Sequence, residues 1–320
     1  MTPLALTKPV MTADGVFVLA PPCSYSAIVG AMLGRHPQLY GFPELHLFLT
    51  ETMSEWWTIA NAESFQMNHG LLRAVAQIVF GEQTEAGVER AAGWIRRRLH
   101  LSTGLVLETL AAAVHPATAV YSCSSIVQRA EFLARSRAMF SDGKFVFVSQ
   151  HPQAYCEAVI AAVRDAEALG PVPEWLRSLA FGSAAGNRNG VLVDPQRSWL
   201  DLTRRVFDFL EPVPNSHRIH VRGEDALSDP RTALHRVVAW LGLRTNAEAL
   251  DAMTHPEESP YARFGPPNAQ YGSMPAFLRA PTLSAHAPAP RSLEGPLPWR
   301  PDGLPFSAEV KELARKLGYS

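Results

Sequence analysis

One stretch near the start of the chain, residues 15–37, constrains its fold more than any other. Residues 16–20 form a short apolar run rich in β-branched side chains, which indicates a buried strand ended by two prolines. Residues 24–33 follow with helical spacing, and Ser24 or Ser26 is a candidate cap for this helix. The stretch therefore predicts a strand, a tight loop and a helix whose amino terminus favours an anion. An ordinary βα turn without a ligand is the alternative interpretation.

The same alternation of strand and helix recurs along the chain. Strands are predicted at residues 117–121, 144–148 and 218–221, and helices at 71–110, 125–140, 154–168, 199–210, 230–241 and 307–317, with residues 169–197 mainly loop. Alternating strands and helices predict a parallel α/β sheet, flanked by helices, in a single domain. We interpret residues 1–14 as a lead-in and residues 15–320 as that domain, with a proline-rich tail over about 255–320.

Composition limits the class of protein. The 320 residues are 47% hydrophobic and 18% charged, which is enough apolar material for a full core and too little charge for a disordered chain. With a formal net charge of −1, no overall field directs the protein to nucleic acid or to a membrane. The first ten residues do not resemble a signal peptide, and no apolar run approaches the roughly 20 residues of a membrane span. We expect a cytoplasmic protein.

An acid and a base lie two residues apart in the segment GFPELHLF, residues 41–48. Glu44 and His46 share a face if this segment is extended, but not if it is helical. His46 is the best candidate general base, because an imidazole with a pKa near neutrality can take a proton from a hydroxyl or thiol. Glu44 is expected to orient His46 or to act as the acid. A structural histidine packed beside the sheet is the alternative.

The three cysteines all lie within or beside predicted strand-to-helix segments. Cys23 is expected at a helix amino terminus, which would lower its pKa and make it a nucleophile or acyl acceptor. A metal site formed by the cysteines and His151 is a second hypothesis, to which the sequence spacing gives no support. We interpret Cys123 and Cys156 as small buried apolar residues.

Four segments, taken in order, resemble the sulfotransferases. They are the stretch from the first strand to GRHPQLYGFPELHLF, then FVFVSQHPQAYCEAV, then HVRGEDALSDPRTALHRVVAWLGL, and the tail from HPEESPYARFG to the last helix. The resemblance is closest to sulfotransferases of polyketide and nonribosomal peptide pathways. It implies a P-loop-like parallel sheet flanked by helices. It also implies transfer of a sulfuryl group from 3′-phosphoadenosine 5′-phosphosulfate (PAPS) to a hydroxyl.

The resemblance places Ser24, Tyr25, Ser26, Gln150 and His151 at the cofactor. Cys23 stands where the family's loop usually has arginine, Tyr25 where it has glycine, and Gln150 where the second motif has arginine. Charge-assisted bonds to arginine are worth about 1.5–3 kcal/mol each, so losing two or three weakens binding on the order of 4–8 kcal/mol. We therefore predict that no cofactor is required, or that PAPS binds weakly.

The tail closes over the substrate in the proteins that the chain resembles. This makes Asn268, Tyr271 and Arg279 candidates for substrate contacts. Three functions remain open: an enzyme that has diverged from PAPS use, a working PAPS-dependent sulfotransferase, and a non-catalytic binding homologue. The retained Glu44–His46 segment and tail favour an enzyme of specialised metabolism. Its expected partner is a small-molecule or carrier-protein-bound biosynthetic intermediate, with no nucleic acid, membrane or metal.

Overall fold

A five-stranded parallel sheet organises the protein. The computed structural model describes residues 15–61, 66–181 and 194–320, so the predicted lead-in lies outside the described residues. The strands are β1 (Gly15–Leu19), β2 (Leu39–Phe42), β3 (Thr118–Tyr121), β4 (Lys144–Ser149) and β5 (Arg218–Arg222), in the spatial order β2-β3-β1-β4-β5. All four neighbouring pairs are parallel, which confirms the predicted α/β class.

Helices flank this sheet. They are α1 (Ser26–Gly34), α2 (Met53–Ala60), α3 (Asn68–Phe80), α4 (Glu85–Arg96), α5 (Thr103–Ala113), α6 (Ala130–Met139), α7 (Pro152–Leu169), α8 (Glu174–Phe181), α9 (Gln196–Leu210), α10 (Gly223–Ser228), α11 (Pro230–Trp240), α12 (Ala247–Met253), α13 (Pro275–Arg279) and α14 (Ala308–Lys316). Short 3₁₀ helices cover Ser124–Gln128, Asn215–His217, Pro256–Glu258, Pro267–Ala269 and Leu283–His286.

Two hydrophobic cores lie on opposite faces of the sheet. Successive side chains of a strand point to opposite faces, so Phe17 of β1 enters one core while Val16 and Val18 enter the other. The Phe17 ring lies 5.3 Å from the Tyr121 ring on β3 and 5.3 Å from the Phe145 ring on β4. One face is therefore held by aromatic contacts across three strands and the other by packed valines. Both cores fix the central strand, and with it the loop that follows.

Helix boundaries account for most differences from the predicted elements. The predicted helix over residues 71–110 is three helices, because Gly81 in the left-handed region ends α3 and Thr84 caps α4. The predicted helix over residues 125–140 divides into the 3₁₀ turn Ser124–Gln128 and α6, with Arg129 extended between them. Within the predicted loop at residues 169–197, α8 forms and α9 begins, and residues 182–193 lie outside the described residues.

The edge strand β2 was not predicted, and α1 begins two residues later than predicted. Residues 39–42 form a strand because the two glycines Gly34 and Gly41 let α1 approach β2 closely. A Cβ added at Gly34 would lie 2.5 Å from the Cα of Gly41. The first helix begins at Ser26, and neither predicted serine caps it: Tyr25 is its N-cap and makes no side-chain capping bond. The Ser24 hydroxyl donates instead to the Pro21 carbonyl.

Candidate active site

The carboxyl ends of all five parallel strands meet at one edge of the sheet. The residues that follow the strands are Cys23 after β1, Glu44 and His46 after β2, Cys123 after β3, Gln150 and His151 after β4, and Gly223 after β5. Ligands of open α/β sheets bind beside this edge. The candidate active site is therefore built from five short loops on a rigid sheet.

Glu44 is held in place by the loop after β3. Its Oε1 atom accepts hydrogen bonds from the Ser124 main-chain N–H at 3.0 Å and from the Ser124 hydroxyl at 2.6 Å. Its Oε2 atom lies 3.9 Å from Nε2 of His46. The structure thus brings together the acid and the base that the sequence places two residues apart. Both side chains are largely buried, with 14% and 13% of their surface exposed.

The other ring nitrogen of His46 faces a thiol and a hydroxyl. Nδ1 lies 3.4 Å from Sγ of Cys123 and 2.9 Å from Oγ of Ser125, and these two atoms are 3.0 Å apart. Burial alone would lower the pKa of His46, but the contacts with Cys123 and the charge of Glu44 outweigh it and raise the pKa to about 9. His46 is in the left-handed region with φ 55°, a conformation that non-glycine residues rarely adopt outside constrained sites.

Cys23 differs from what the sequence predicts for it. It follows β1 in the left-handed region with φ 63°, and it packs against the aromatic core. Burial and the charge of Glu44 raise its pKa to about 12, so the predicted lowering of its pKa is wrong. Among the described residues, the sulfur within hydrogen-bond reach of His46 is that of Cys123. Cys156 is buried in the core, which raises its pKa, as expected for a packing residue.

Tyr25 joins the loop after β1 to the ends of β4 and β5. A Cβ added at Gly223 would lie 2.2 Å from Cδ2 of Tyr25, so the tyrosine ring rests directly on the glycine. Burial and the charge of Glu224 raise the Tyr25 pKa to about 12, although the Gln150 amide beside the phenol opposes the shift. Gln150 is buried, and its side-chain oxygen has no hydrogen-bond partner among the described residues. Its main-chain carbonyl accepts from the Trp199 indole at 2.9 Å.

A cavity of about 340 Å³ lies beyond β4, between His151 and the segment that follows α14. The His151 main-chain N–H donates to Glu224 at 2.8 Å, while Nδ1 accepts from the Gln153 N–H at 3.1 Å. Burial lowers the pKa of His151 to about 4, so its ring is neutral at pH 7. Tyr319 closes the inner wall, and its hydroxyl donates to Glu224 at 2.8 Å and lies 2.9 Å from the Ser149 hydroxyl.

Comparison with known proteins decides the family. The profile described as "Sulfotransferase family" matches residues 15–247. The chain belongs to the sulfotransferase family. Its structure is similar to the sulfotransferase domain from the curacin biosynthetic pathway (TM-score 0.73, 19% identity, covering 98% of this chain and 99% of that chain). It is also similar to the sulfotransferase domain from the Synechococcus PCC 7002 olefin synthase (TM-score 0.70, 20% identity, covering 98% of this chain and 97% of that chain). No curated protein matches the chain.

The tail of this sulfotransferase-family chain contacts the Glu44 segment next to one of the three predicted residues, Tyr271. Tyr271 stacks on His69 with ring centroids 5.8 Å apart, and the next residue, Gly272, accepts a hydrogen bond from the Glu44 main chain at 2.7 Å. Asn268 donates to the Glu85 carbonyl at 3.0 Å, beside α4. Arg279 pairs with Asp165 on α7. The structure thus places Tyr271 next to the Glu44 segment and the other two at separate helices.

Sequence reasoning missed Arg73, which ties the tail to α3. Arg73 is 2% exposed and donates to the Tyr271 carbonyl at 2.9 Å and to the Gln83 side chain at 2.7 Å. Burial lowers its pKa to about 10. A single arginine in the apolar run of α3 was the available signal, because a charged side chain inside such a run needs partners of its own. Arg73 therefore positions the segment that covers Glu44.

The part of this sulfotransferase-family chain that the structure describes holds neither a metal-binding cluster nor a membrane-spanning helix. Within residues 15–61, 66–181 and 194–320, no group of three His, Cys, Asp or Glu side chains is arranged to hold a metal ion. The hypothesis of a metal site formed by the cysteines and His151 therefore finds no support there. None of the helices that the structure describes has the length and apolar character needed to cross a membrane.

Proposed function

We propose that this protein is a group-transfer enzyme of specialised metabolism that has diverged from tight PAPS use. Its substrate is a small-molecule or carrier-bound biosynthetic intermediate, and His46 moves the proton during transfer. One observation carries the proposal: the His46 ring is held between Glu44 on one side and Cys123 and Ser125 on the other, at the ligand-binding edge of the sheet. A buried imidazole positioned by three polar side chains at this edge favours an enzyme over a binding homologue.

The residues at the family's cofactor positions do not fit PAPS. The Tyr25 ring fills the space beside Gly223. The family's loop has a glycine, without a side chain, in place of Tyr25. Gln150 is a neutral amide, so it cannot supply the charge-assisted contact that an arginine at this position gives to a phosphate. The charge of Glu44 reaches Cys23, where the family's arginine is missing. Each of these three features disfavours an anion, so the proposal includes no step through PAPS.

The two arginines beyond β4 do not replace the missing cationic contacts. Arg222 donates to the Gly318 carbonyl at 2.8 Å, and its guanidinium lies over the Tyr319 ring. Arg291 pairs with Glu157 at 2.9 Å. The charge of Arg291 is therefore paired with a carboxylate, and two contacts already orient the Arg222 guanidinium, although its buried Nε atom has no hydrogen-bond partner among the described residues. The amino termini of helices alone offset only part of the lost binding free energy, typically about 0.3–1 kcal/mol each.

A PAPS-dependent sulfotransferase acting on a hydroxyl is the second candidate. The family match favours this candidate. The unit of β1, a loop with Ser24 and Ser26, and α1 also favours it, because the amino terminus of α1 still follows the strand and its loop. Under this function, His46 would take the proton of the acceptor hydroxyl. The two candidates therefore share His46 and differ in whether the nucleotide binds.

Calorimetric titration of PAPS and of its desulfated nucleotide separates the two candidates. We expect dissociation constants weaker than micromolar for both nucleotides, because the arginine contacts are missing. The His46→Asn variant is the matched control, since asparagine tolerates the left-handed backbone at this position and the change leaves the nucleotide positions intact. A micromolar or tighter constant for PAPS would establish the second candidate instead.

An activity measurement separates either enzyme from a binding homologue. Hydroxyacyl thioesters, free and carrier-bound, are incubated with the protein, and the products are followed by mass spectrometry. We expect a product that His46→Asn reduces at least about 100-fold, which is the usual contribution of general acid–base catalysis. Substrate binding with no turnover by either protein would favour the binding homologue.

A further inference from the structure

We propose that Cys123, paired with His46 and Glu44, is a nucleophilic thiol that accepts an acyl group from a thioester. This inference rests on the proposed group-transfer function and names its substrate class and its covalent residue. The three side chains come from the loops after β2 and β3, two neighbouring strands. A nucleophile, a base within reach of it and a third group near the base form the arrangement that covalent catalysis uses.

Register explains why these loops meet. Phe42 of β2 pairs with Tyr121 of β3 in the parallel ladder. Glu44 and Cys123 each follow two residues later, and therefore lie at the same height beyond the sheet. The Ser124 N–H and hydroxyl bind Glu44, and this fixes the residue next to Cys123 against the β2 loop. The thiol is thus held opposite His46 by main-chain and side-chain contacts that do not involve the sulfur itself.

The surroundings of Sγ suit a reactive sulfur. Two groups that can donate hydrogen bonds surround it, Nδ1 of His46 at 3.4 Å and the Ser125 hydroxyl at 3.0 Å. The contact with Cys123 and the charge of Glu44 raise the pKa of His46 to about 9. An imidazolium beside a sulfur is the usual means of activating a cysteine. The other two cysteines lack this neighbour, and burial raises the pKa of both.

The transfer balances in two steps. In the first, Sγ of Cys123 attacks the thioester carbonyl, a C–S bond forms to Cys123 as the C–S bond to the departing thiol breaks, and His46 gives its proton to that thiol. Acylation removes the charge that favoured the imidazolium, so His46 is then neutral. In the second step, His46 takes a proton from water or a substrate hydroxyl. The resulting oxygen attacks the acyl carbon, and the Cys123 sulfur leaves.

A thioester fits this site better than a charged donor. Exchange of one C–S bond for another requires no cation to stabilise a departing anion, and the missing arginines are therefore no obstacle. The exposed part of the cluster is formed by His46 and Glu44, each with between 10 and 20% of its side chain accessible. Cys123 itself is 4% exposed, behind His46 and Ser125. The acyl group is therefore expected to approach past the imidazole, beneath the tail segment at Gly272.

The first test measures the sulfur without requiring a substrate to reach it. Ultraviolet thiolate absorbance of the folded protein at neutral pH is compared among wild type, Cys123→Ser, His46→Asn and the control Cys156→Ser. We expect an absorbance equivalent to one thiolate that is lost in the first two variants and unchanged in the control. Equal absorbance in wild type and Cys123→Ser would show that Cys123 holds its proton, and would overturn the inference.

The second test detects the covalent intermediate. The protein is incubated with a hydroxyacyl N-acetylcysteamine thioester, quenched in acid and digested, and each cysteine peptide is weighed. We expect the acyl mass on the Cys123 peptide, and a loss of at least about tenfold in His46→Asn. The acyl mass on Cys23 alone, or on no cysteine, would overturn the inference. If Cys123→Ser keeps the group-transfer activity, the inference fails while the proposed function stands; if wild type has no activity and forms no adduct, both fail.

Discussion

At the scale of single residues, Tyr25 shows how one departure from the family's pattern is linked to another through direct contact. Its ring rests on Gly223, its phenol lies beside the Gln150 amide, and it stands in the loop that normally approaches a phosphate closely. Tyr25 and Gln150, two departures from the family's pattern, are therefore in contact. Restoring the arginines without removing the ring would leave the nucleotide without space.

We predict that nucleotide affinity returns only when the ring is removed with the arginines restored. Cys23→Arg combined with Gln150→Arg should change the affinity for PAPS by less than about tenfold. Adding Tyr25→Gly should strengthen it by a further 10- to 100-fold, because two charge-assisted contacts then become available. Calorimetry measures the constants, with Tyr25→Gly alone as control. Equal affinity of the double and triple variants would show that the ring is no obstacle.

Two buried histidines make the protein sensitive to acid. The pKa values of His69 and His151 are lowered to about 4 by burial, from a value near 6.5 in the unfolded chain. Between these values the unfolded state binds more protons, so the free energy of unfolding decreases as pH falls from about 6.5 to about 4. Urea unfolding at several pH values should therefore show a shallower decrease in the variant carrying His69→Asn and His151→Asn. Asparagine retains an acceptor where each Nδ1 accepts a main-chain N–H. Parallel pH profiles for variant and wild type would contradict this origin of acid sensitivity.

The acid and base of the site were predictable at the residue scale, whereas the thiol was not. Glu44 and His46 are two residues apart, so they lie close in the chain before any tertiary contact forms. Cys123 lies 77 residues from His46, and their contact depends on the order and register of β2 and β3. The sequence pattern predicts neither the order of these strands nor their register. The same limitation led to the choice of Cys23, which is near a helix terminus but is half-buried against the hydrophobic core.

At the scale of elements, glycine sets how closely α1 packs on β2. A Cβ at Gly34 would lie 2.5 Å from Cα and 2.6 Å from N of Gly41, both backbone atoms that cannot turn aside. By contrast, a Cβ at Gly93 in α4 would meet only Nη1 of Arg97, at 3.5 Å. Two helical glycines therefore have opposite roles in the same fold.

We predict opposite signs for alanine at these two positions. Gly34→Ala should lower the free energy of unfolding by about 1–3 kcal/mol, because α1 and β2 must move apart. Gly93→Ala should raise it by about 0.5–1 kcal/mol, because glycine in a helix interior costs conformational entropy. Urea unfolding measures both changes under the same conditions. Stabilisation by Gly34→Ala would mean that the close approach is not needed.

Most strands were predictable because buried strands of a parallel sheet are short apolar runs. Residues 16–20 and 144–148 match β1 and β4 to within one residue at each end. The edge strand β2 contains Tyr40 and Gly41, and its pairing arises from the tight packing of α1 rather than from its own composition. The helix breaks near Gly81 and Arg129 were missed because apolar spacing continues across them.

At the scale of the whole molecule, Tyr319 connects the end of the described chain to the middle of the sheet. Its hydroxyl contacts Glu224 and Ser149, its ring lies against His151, and the Arg222 guanidinium stacks on it. Removing the hydroxyl should leave the half-buried Glu224 carboxylate with one partner fewer. Residues from β4, β5 and α10 would be affected together.

We predict that Tyr319→Phe lowers the free energy of unfolding by about 1.5–3 kcal/mol, the range for a hydrogen bond to a charged group. In a double-mutant cycle with Glu224→Gln, the two changes should be coupled by at least about 0.5 kcal/mol, as for residues in direct contact. Urea unfolding of the four proteins gives the coupling. Additive effects within experimental error would show that Glu224 does not depend on this hydroxyl.

The contact of Tyr319 with Ser149 also has a consequence for the order in which the protein is made. The two residues are 170 positions apart, and Glu224 is 95 positions from its tyrosine partner. Synthesis begins at the amino terminus, so β4 and β5 leave the ribosome long before residue 319. Until then, water must solvate the polar groups at the carboxyl edge of β4. A nascent chain can thus form its sheet early, yet it acquires a finished site only after residue 319 has been made.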